Sequence, residues 1–311
     1  MLRPDPLLID EIRKRLKCAV NESGAKGLLL SGGLDSSILA ALAPGVSAFT
    51  VTLAPHGEDE QYAKILTQIL HIKSYHRMIG IEEAVDSIPA VIGILESFDP
   101  AIPNDIATYF GLKLAKDQGA KSVMTGDGSD ELFAGYSFMF DLPDLESYIR
   151  GLKDKMCFSS NILGQKLGVE IEQPYLSHEI IELALEIPKD LKIRVEGEKR
   201  WGKWILRKAF EDVLPPKIIW QDKRPLEYGS GTRRLRRIIS EKIPDEEFEE
   251  KKRAYPVRFI SKEHLYYYQI YRKVLGEIPA PEKGDRACVG CGAGIEREAN
   301  HCRICGGIQN E

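Results

Sequence analysis

An apolar run, Gly27-Leu28-Leu29-Leu30, passes directly into Ser31-Gly32-Gly33-Leu34-Asp35-Ser36-Ser37 and then into a stretch with helical periodicity. A strand, a paired-glycine turn and a helix start in that order bring backbone N–H groups together at the positive end of the helix, where an anion is held. Residues 27–43 are thereby constrained to a β-strand, a phosphate-sized cradle and a helix. The stretch lacks the G-x-x-x-x-G-K-[ST] pattern of loops that hand on a γ-phosphate. It points instead to cleavage of ATP into AMP and pyrophosphate.

Val123-Met124-Thr125-Gly126-Asp127-Gly128-Ser129-Asp130-Glu131-Leu132-Phe133-Ala134-Gly135-Tyr136 repeats the design of strand, glycine-rich turn and helix start. Between and around the two loops, apolar runs alternate with helical periods. Helices are expected over 7–20, 38–43, 58–70, 81–98 and 104–118, and strands over 27–30, 46–53, 74–79 and 122–125. This alternation predicts an α/β fold, a doubly wound, mainly parallel sheet with both faces covered. Ligands of such sheets sit beyond the carboxyl ends of the strands, so both loops should face one cleft. From Leu145 to Gly276 helical periods dominate and few strands are evident.

No run approaches the ~20 apolar residues of a bilayer span, and Met1-Leu2-Arg3-Pro4-Asp5 has no signal-peptide core, so a cytoplasmic location is expected. A net charge of −4 argues against a surface built wholly to coat nucleic acid. Isolated Cys18 and Cys157 read as buried, inert thiols. The Tyr266–Tyr268 cluster with Tyr271 reads as helix core, and Arg233-Arg234-Leu235-Arg236-Arg237 as an ion-paired face, with an RNA or phosphate contact as its alternative.

After the linker-like Pro279-Ala280-Pro281-Glu282-Lys283-Gly284 come Cys288-Val289-Gly290-Cys291 and Cys302-Arg303-Ile304-Cys305. Two C-x-x-C pairs at this spacing predict paired knuckles holding one Zn²⁺ in a saturated, structural site. An iron–sulfur centre on the same Cys288, Cys291, Cys302 and Cys305 is the alternative. The expected organisation is an α/β domain over 1–150, a helical subdomain over 151–278, a linker over 279–284 and a zinc ribbon over 285–311.

The two loops together resemble the synthetase domain of glutamine-hydrolysing asparagine synthetase and its relative β-lactam synthetase, whose second segment runs Gly-Glu-Gly-Ser-Asp-Glu-x-Phe-Gly-Gly-Tyr. The resemblance continues through Gly168-Val169-Glu170, Pro174-Tyr175-Leu176, Lys203 to Arg207 and Leu214-Pro215-Pro216-Lys217. It ends near Trp220-Gln221-Asp222-Lys223-Arg224, where the family has an Arg-x-Lys-type segment, and covers roughly residues 22 to 235. It implies a fold of adenine nucleotide alpha hydrolase-like type and an AMP-forming amide ligase. It further implies Asp35 and Asp130 as Mg²⁺ ligands, Lys223 as the catalytic lysine, and Val51 as a backbone contact to adenine. Ser31, Gly32, Gly33, Asp35, Ser36, Ser37 and Gly126 would line the ATP site. A helix-capping role is the bland alternative for Asp35.

Two departures stand out. Asp127 replaces the family's glutamate beside the activated acyl group and the incoming amine, a carboxylate withdrawn by ~1.5 Å that the resemblance assigns to positioning the acyl-adenylate or the amine. The family's Arg-x-Ser-Thr-Pro-type segment reads Pro103-Asn104-Asp105-Ile106-Ala107. The glutaminase domain, which needs a cysteine after the initiator methionine, is also expected to be missing, since residue two is Leu2. Aspartate is then the expected carboxylate substrate, with free ammonia, a separate glutaminase subunit or another amine as nucleophile. The rival readings are a tRNA-modifying ATP pyrophosphatase that docks RNA or a protein partner through the ribbon, and a degenerate, non-catalytic scaffold.

Overall fold

The computed structural model describes residues 5–55, 57–153 and 155–309. Helix α1 (Pro6–Ser23) starts where the Asp5 carboxylate accepts the Leu7 N–H at 2.9 Å and stops at left-handed Gly24. Its apolar stripe, Ile12, Leu16, Ala19 and Val20, is buried. There follow β1 (Gly27–Leu29), α2 (Leu34–Leu42), β2 (Ser47–Leu53), α3 (Asp59–Leu70), β3 (Lys73–Ile79), α4 (Ile81–Leu95), α5 (Ile102–Asp117) and β4 (Ser122–Met124). The short α6 (Ser129–Leu132), α7 (Leu145–Leu152), α8 (Ser159–Leu167) and β5 (Glu170–Glu172) come next.

The five strands form one sheet in the order β3-β2-β1-β4-β5. Leu28 pairs in parallel with Ala48 on one side and Met124 on the other, and Val123 pairs with Ile171 of β5. Strand order reverses between β1 and β4. That is the switch point where loops leaving neighbouring parallel strands diverge to opposite faces and open a crevice. The two glycine-rich loops leave from these two strands.

Three differences from the sequence reading appear, two of them with local causes. β5 joins the central sheet although it lies in the stretch read as helical, because Glu-Ile-Glu is too short to carry a period. Helix α4 ends at Leu95 rather than Phe98: Glu96 turns left-handed at φ 52°, and the Phe98 N–H donates to the Ile304 carbonyl at 2.7 Å. Cys18 and Cys157 are exposed, not buried.

The chain divides into two compact units. The first comprises Met1–Val51, Glu58–Arg77 and Gly111–Pro225, with a core that includes Leu28, Ile38, Met124, Phe133 and Tyr175. The second comprises Thr52–Gly57, Met78–Phe110 and Leu226–Glu311. In it α4 packs against the helix Lys262–Val274, and Phe98 lies 5.3 and 5.2 Å from the rings of Tyr268 and Tyr271. Tyr267, Tyr268 and Tyr271 are therefore core, whereas Tyr266 is only half-buried. Of the Arg233–Arg237 cluster, Arg236 pairs with Glu227 and Glu263, Arg237 pairs with Glu241, and Arg233 lies over the Tyr228 ring. Among the described residues no helix is long and apolar enough to cross a membrane.

Candidate active site

All the residues considered for nucleotide chemistry lie in the first unit. Beyond β1, Gly32 adopts φ 68°, and a β-carbon there would collide with the Tyr62 side chain. Left-handed backbone and contact with Tyr62 both demand glycine. Ser31 and Ser36 hydroxyls lie 3.2 Å apart, the Gly33 N–H donates to Ser31 Oγ at 3.3 Å, and Ser36 Oγ donates to the Gly33 carbonyl at 3.3 Å. Ser37 Oγ is buried and has no hydrogen-bond partner among the described residues. Gly33 caps α2 without a side-chain bond, so Asp35 is not the cap.

The Asp35 carboxylate turns instead toward the second loop. Ser129 Oγ donates to its Oδ1 at 2.7 Å, and Lys203 Nζ donates to both its oxygens at 2.7 Å. The same ammonium lies 2.7 Å from Asp130 Oδ1, and Lys223 Nζ donates to Asp130 Oδ2. Gly126 allows this approach, because a β-carbon there would sit 2.9 Å from Asp35 Cβ. Burial alone would raise the Asp130 carboxyl, but the ammonium groups of Lys203 and Lys223 outweigh it and hold that carboxyl at about 2. Burial likewise opposes the charge on Lys223, yet Asp130 and Asp35 win and push its ammonium up. The Lys223 side chain remains 38% exposed, against 4% for Lys203.

Asp127 stands apart from this cluster. Its Oδ2 accepts from Thr125 Oγ1 at 2.6 Å, Ser160 Oγ at 2.6 Å and Gln173 Nε2 at 3.0 Å, which anchors it to α8 and to the end of β5. Val51 is buried in β2.

Asp35, Asp130 and Lys223 are thus brought into one charged cluster beside the Ser31–Ser37 loop, with Gly126 beneath it. Lys203 opens a segment that carries the family resemblance, yet nothing in the sequence marks its side chain for a role.

Residues 8–167 and 150–285 match the family described as Asparagine synthase. The chain belongs to the asparagine synthase family. It is 29% identical over 267 residues to a probable glutamine-hydrolysing asparagine synthetase of Dictyostelium discoideum, covering 74% of this chain and 48% of that protein. Asparagine synthetase B of Escherichia coli is 27% identical over 302 residues, 86% of this chain and 52% of the relative. A probable asparagine synthetase of Schizosaccharomyces pombe is 30% identical over 259 residues, 71% and 45% respectively. The chain spans about half the length of these relatives.

The match to the asparagine synthase family stops at residue 285, ahead of the four tail cysteines. Cys288, Cys291, Cys302 and Cys305 are buried, and their sulfurs all lie within 4.8 Å of one another. The Cys288–Cys305 and Cys291–Cys302 sulfur pairs are 3.7 and 3.8 Å apart. A tetrahedron with metal–sulfur bonds of ~2.3 Å has sulfur–sulfur edges of about 3.8 Å, so the four thiols fit one tetrahedral ion. The Gly290 N–H and Gln309 Nε2 donate to Cys288 Sγ at 3.3 and 3.2 Å, which suits a thiolate.

Proposed function

We propose that this chain is an ATP-dependent, AMP-forming amide ligase of asparagine synthetase type, acting on aspartate or a related carboxylate with ammonia or another amine as nucleophile. The observation that carries the reading is the meeting of Asp35, Asp130, Lys203 and Lys223 beside the glycine loop. A carboxylate oxygen of the substrate attacks the α-phosphorus of ATP and pyrophosphate leaves; the amine then displaces AMP from the acyl group. Both steps place negative charge at the α-phosphate.

In this reading the amides of the Ser31–Ser37 loop and the hydroxyl of Ser37 hold the departing pyrophosphate. Asp35 and Asp130 are the donors for Mg²⁺, which prefers one or two carboxylates plus phosphate oxygens and water and would neutralise the phosphates when bound. Lys203 keeps the two carboxylates together and, with Lys223, keeps Asp130 ionised. Lys223, more exposed and bonded to one Asp130 oxygen, stabilises charge on the α-phosphate in the transition state. Asp127, its Oδ2 fixed by three donors, orients the acyl-adenylate or the amine. Val51 supplies a backbone contact to adenine.

The four cysteines are proposed to hold Zn²⁺. Nitrogen would come from free ammonium or a separate glutaminase subunit, and the setting would be the cytoplasm. The test is pyrophosphate release with ATP, Mg²⁺, aspartate and ammonium, with AMP and asparagine measured in step. AMP formation without an amide product, or release that depends on added tRNA instead, would overturn the proposal.

A further inference from the structure

The segment Gln221–Arg224, which carries Lys223, is fastened to the phosphate loop by two side chains that the chemistry above leaves unused. Gln221 Nε2 donates to the Gly32 carbonyl at 2.9 Å and to the Ile218 carbonyl at 3.0 Å. Gln221 Oε1 accepts from Arg224 Nη2 at 3.1 Å, and the Gln221 backbone carbonyl accepts from Arg207 Nη1 at 3.1 Å. Arg224 also donates to Glu58 Oε2 at 2.8 Å, and its guanidinium lies 4.4 Å from the centre of the Tyr62 ring. Tyr62 is the side chain against which Gly32 rests. Two routes therefore join Gly32 to the lysine's segment, one through the Gln221 amide and one through the Arg224–Tyr62 stack.

The bond to the Gly32 oxygen matters because a trans peptide is planar, with its C=O and N–H antiparallel. Holding the Gly32 oxygen orients the Gly33 N–H, one of the amides at the start of α2. An anion that takes over that N–H, which here donates to Ser31 Oγ at 3.3 Å, polarises the same peptide and strengthens the bond from Gln221 at its other end. We propose that Gln221 is a positioning residue: it couples occupancy of the phosphate loop to the placement of Lys223, and Arg224 holds it in register. An amide suits this place because it donates to Gly32 and accepts from Arg224 at once, which neither a carboxylate nor an ammonium can do. The inference rests on the reading of Lys223 as the transition-state cation.

Hydrogen exchange over residues 218–226, with and without α,β-methylene-ATP and Mg²⁺, tests the coupling without turnover. In the parent, nucleotide should slow exchange in this segment. Gln221→Glu keeps size and the acceptor for Arg224 but has no donor for Gly32, and it should lose most of that slowing while its nucleotide Kd stays within about threefold of the parent. Undiminished slowing in this variant, with nucleotide bound, overturns the coupling. No nucleotide binding by the parent sinks the adenylation reading itself.

In pyrophosphate release with aspartate and ammonium, Gln221→Ala should lower kcat about tenfold with little change in KM for ATP. The loss should vanish when measured in the Lys223→Ala background, because a residue that acts only through Lys223 has nothing left to position. A full additive loss in the double variant overturns the proposal. Where aspartate and ammonium give no turnover, the exchange experiment decides alone.

Discussion

The carboxylates of Asp35 and Asp130 share a single ammonium, Lys203 Nζ, at 2.7 Å from oxygens of each. Asp35 lies in the first turn of α2, which follows β1, and Asp130 in the first turn of α6, which follows β4, so the ion pairs tie together the two sides of the switch point. Lys203 makes the link from a left-handed backbone, φ 54°, while its N–H donates to the Phe133 carbonyl at 3.0 Å. A non-glycine residue in that region costs of order 1 kcal/mol or more and persists where surrounding bonds impose it.

Lys203→Met should therefore destabilise the first unit by about 3–5 kcal/mol, since it leaves two nearby carboxylates facing each other in a largely buried place. Mg²⁺ should recover part of this loss by taking the ammonium's place between them. Thermal melts with and without millimolar Mg²⁺ check this. A variant as stable as the parent, or one indifferent to Mg²⁺, would separate Lys203 from the carboxylate pair.

Asp35→Ala and Asp130→Ala should each lower pyrophosphate release by about a hundredfold or more while the protein stays folded. In each variant Lys203 keeps one carboxylate partner. Activity within tenfold of the parent in either case would remove that aspartate from the metal site.

Lys223→Ala should leave nucleotide affinity nearly unchanged and lower kcat, because a charge that acts mainly on the transition state adds little to ground-state binding. Isothermal titration with a non-hydrolysable ATP analogue, set beside steady-state rates, separates the two. A loss of affinity large enough to account for the whole loss of rate contradicts the role.

Much of this was legible in the sequence because the loops carry local signals. Two glycines between an apolar run and a helix, twice, place both loops at strand ends, and the sheet follows from the alternation around them. What the sequence withheld is long-range. Lys203 and Gln221 reach Asp35 and Gly32 only after the chain has folded back across the sheet, and no period or spacing marks such a bond. β5 escaped for a different reason: three residues of a central-sheet strand, flanked by helices, are too few to alternate.

The pH dependence of stability should carry the signature of Asp130. Its folded-state value, about 2, lies below the ~3.9 of an unfolded aspartate, so the contribution of the pairing is complete above about pH 4 and is lost as pH falls through about 2. Asp130→Asn has no such titration. The gap between parent and variant urea midpoints should thus narrow between pH 4 and pH 2. A gap that stays constant across this range would mean that Asp130 is not the titrating partner of Lys203 and Lys223.

The tail cysteines should bind one ion per chain, and its removal should loosen the second unit at identifiable places. The two knuckles are closed by Gly292 N–H to Cys288 carbonyl and Gly306 N–H to Cys302 carbonyl bonds, both 2.9 Å, so their backbone shape depends on the sulfurs being held together. That backbone is in turn used by the rest of the unit. The Ile304 carbonyl accepts the Phe98 N–H at 2.7 Å and Ser97 Oγ at 3.2 Å, and the Gly290 carbonyl accepts the Arg258 N–H at 2.7 Å. Chelation, or Cys302→Ser, should therefore speed hydrogen exchange at the Phe98 and Arg258 amides and lower the melting temperature. Nucleotide affinity should change by less than about threefold, because the residues proposed to bind ATP all belong to the first unit. Elemental analysis of protein purified without oxygen identifies the ion: zinc at one equivalent fits four thiolates around a single centre, and iron with a visible charge-transfer band would overturn the zinc assignment. Exchange at Phe98 unaltered by complete metal removal would show that the knuckles keep their shape without an ion, and the structural role given to it would fall.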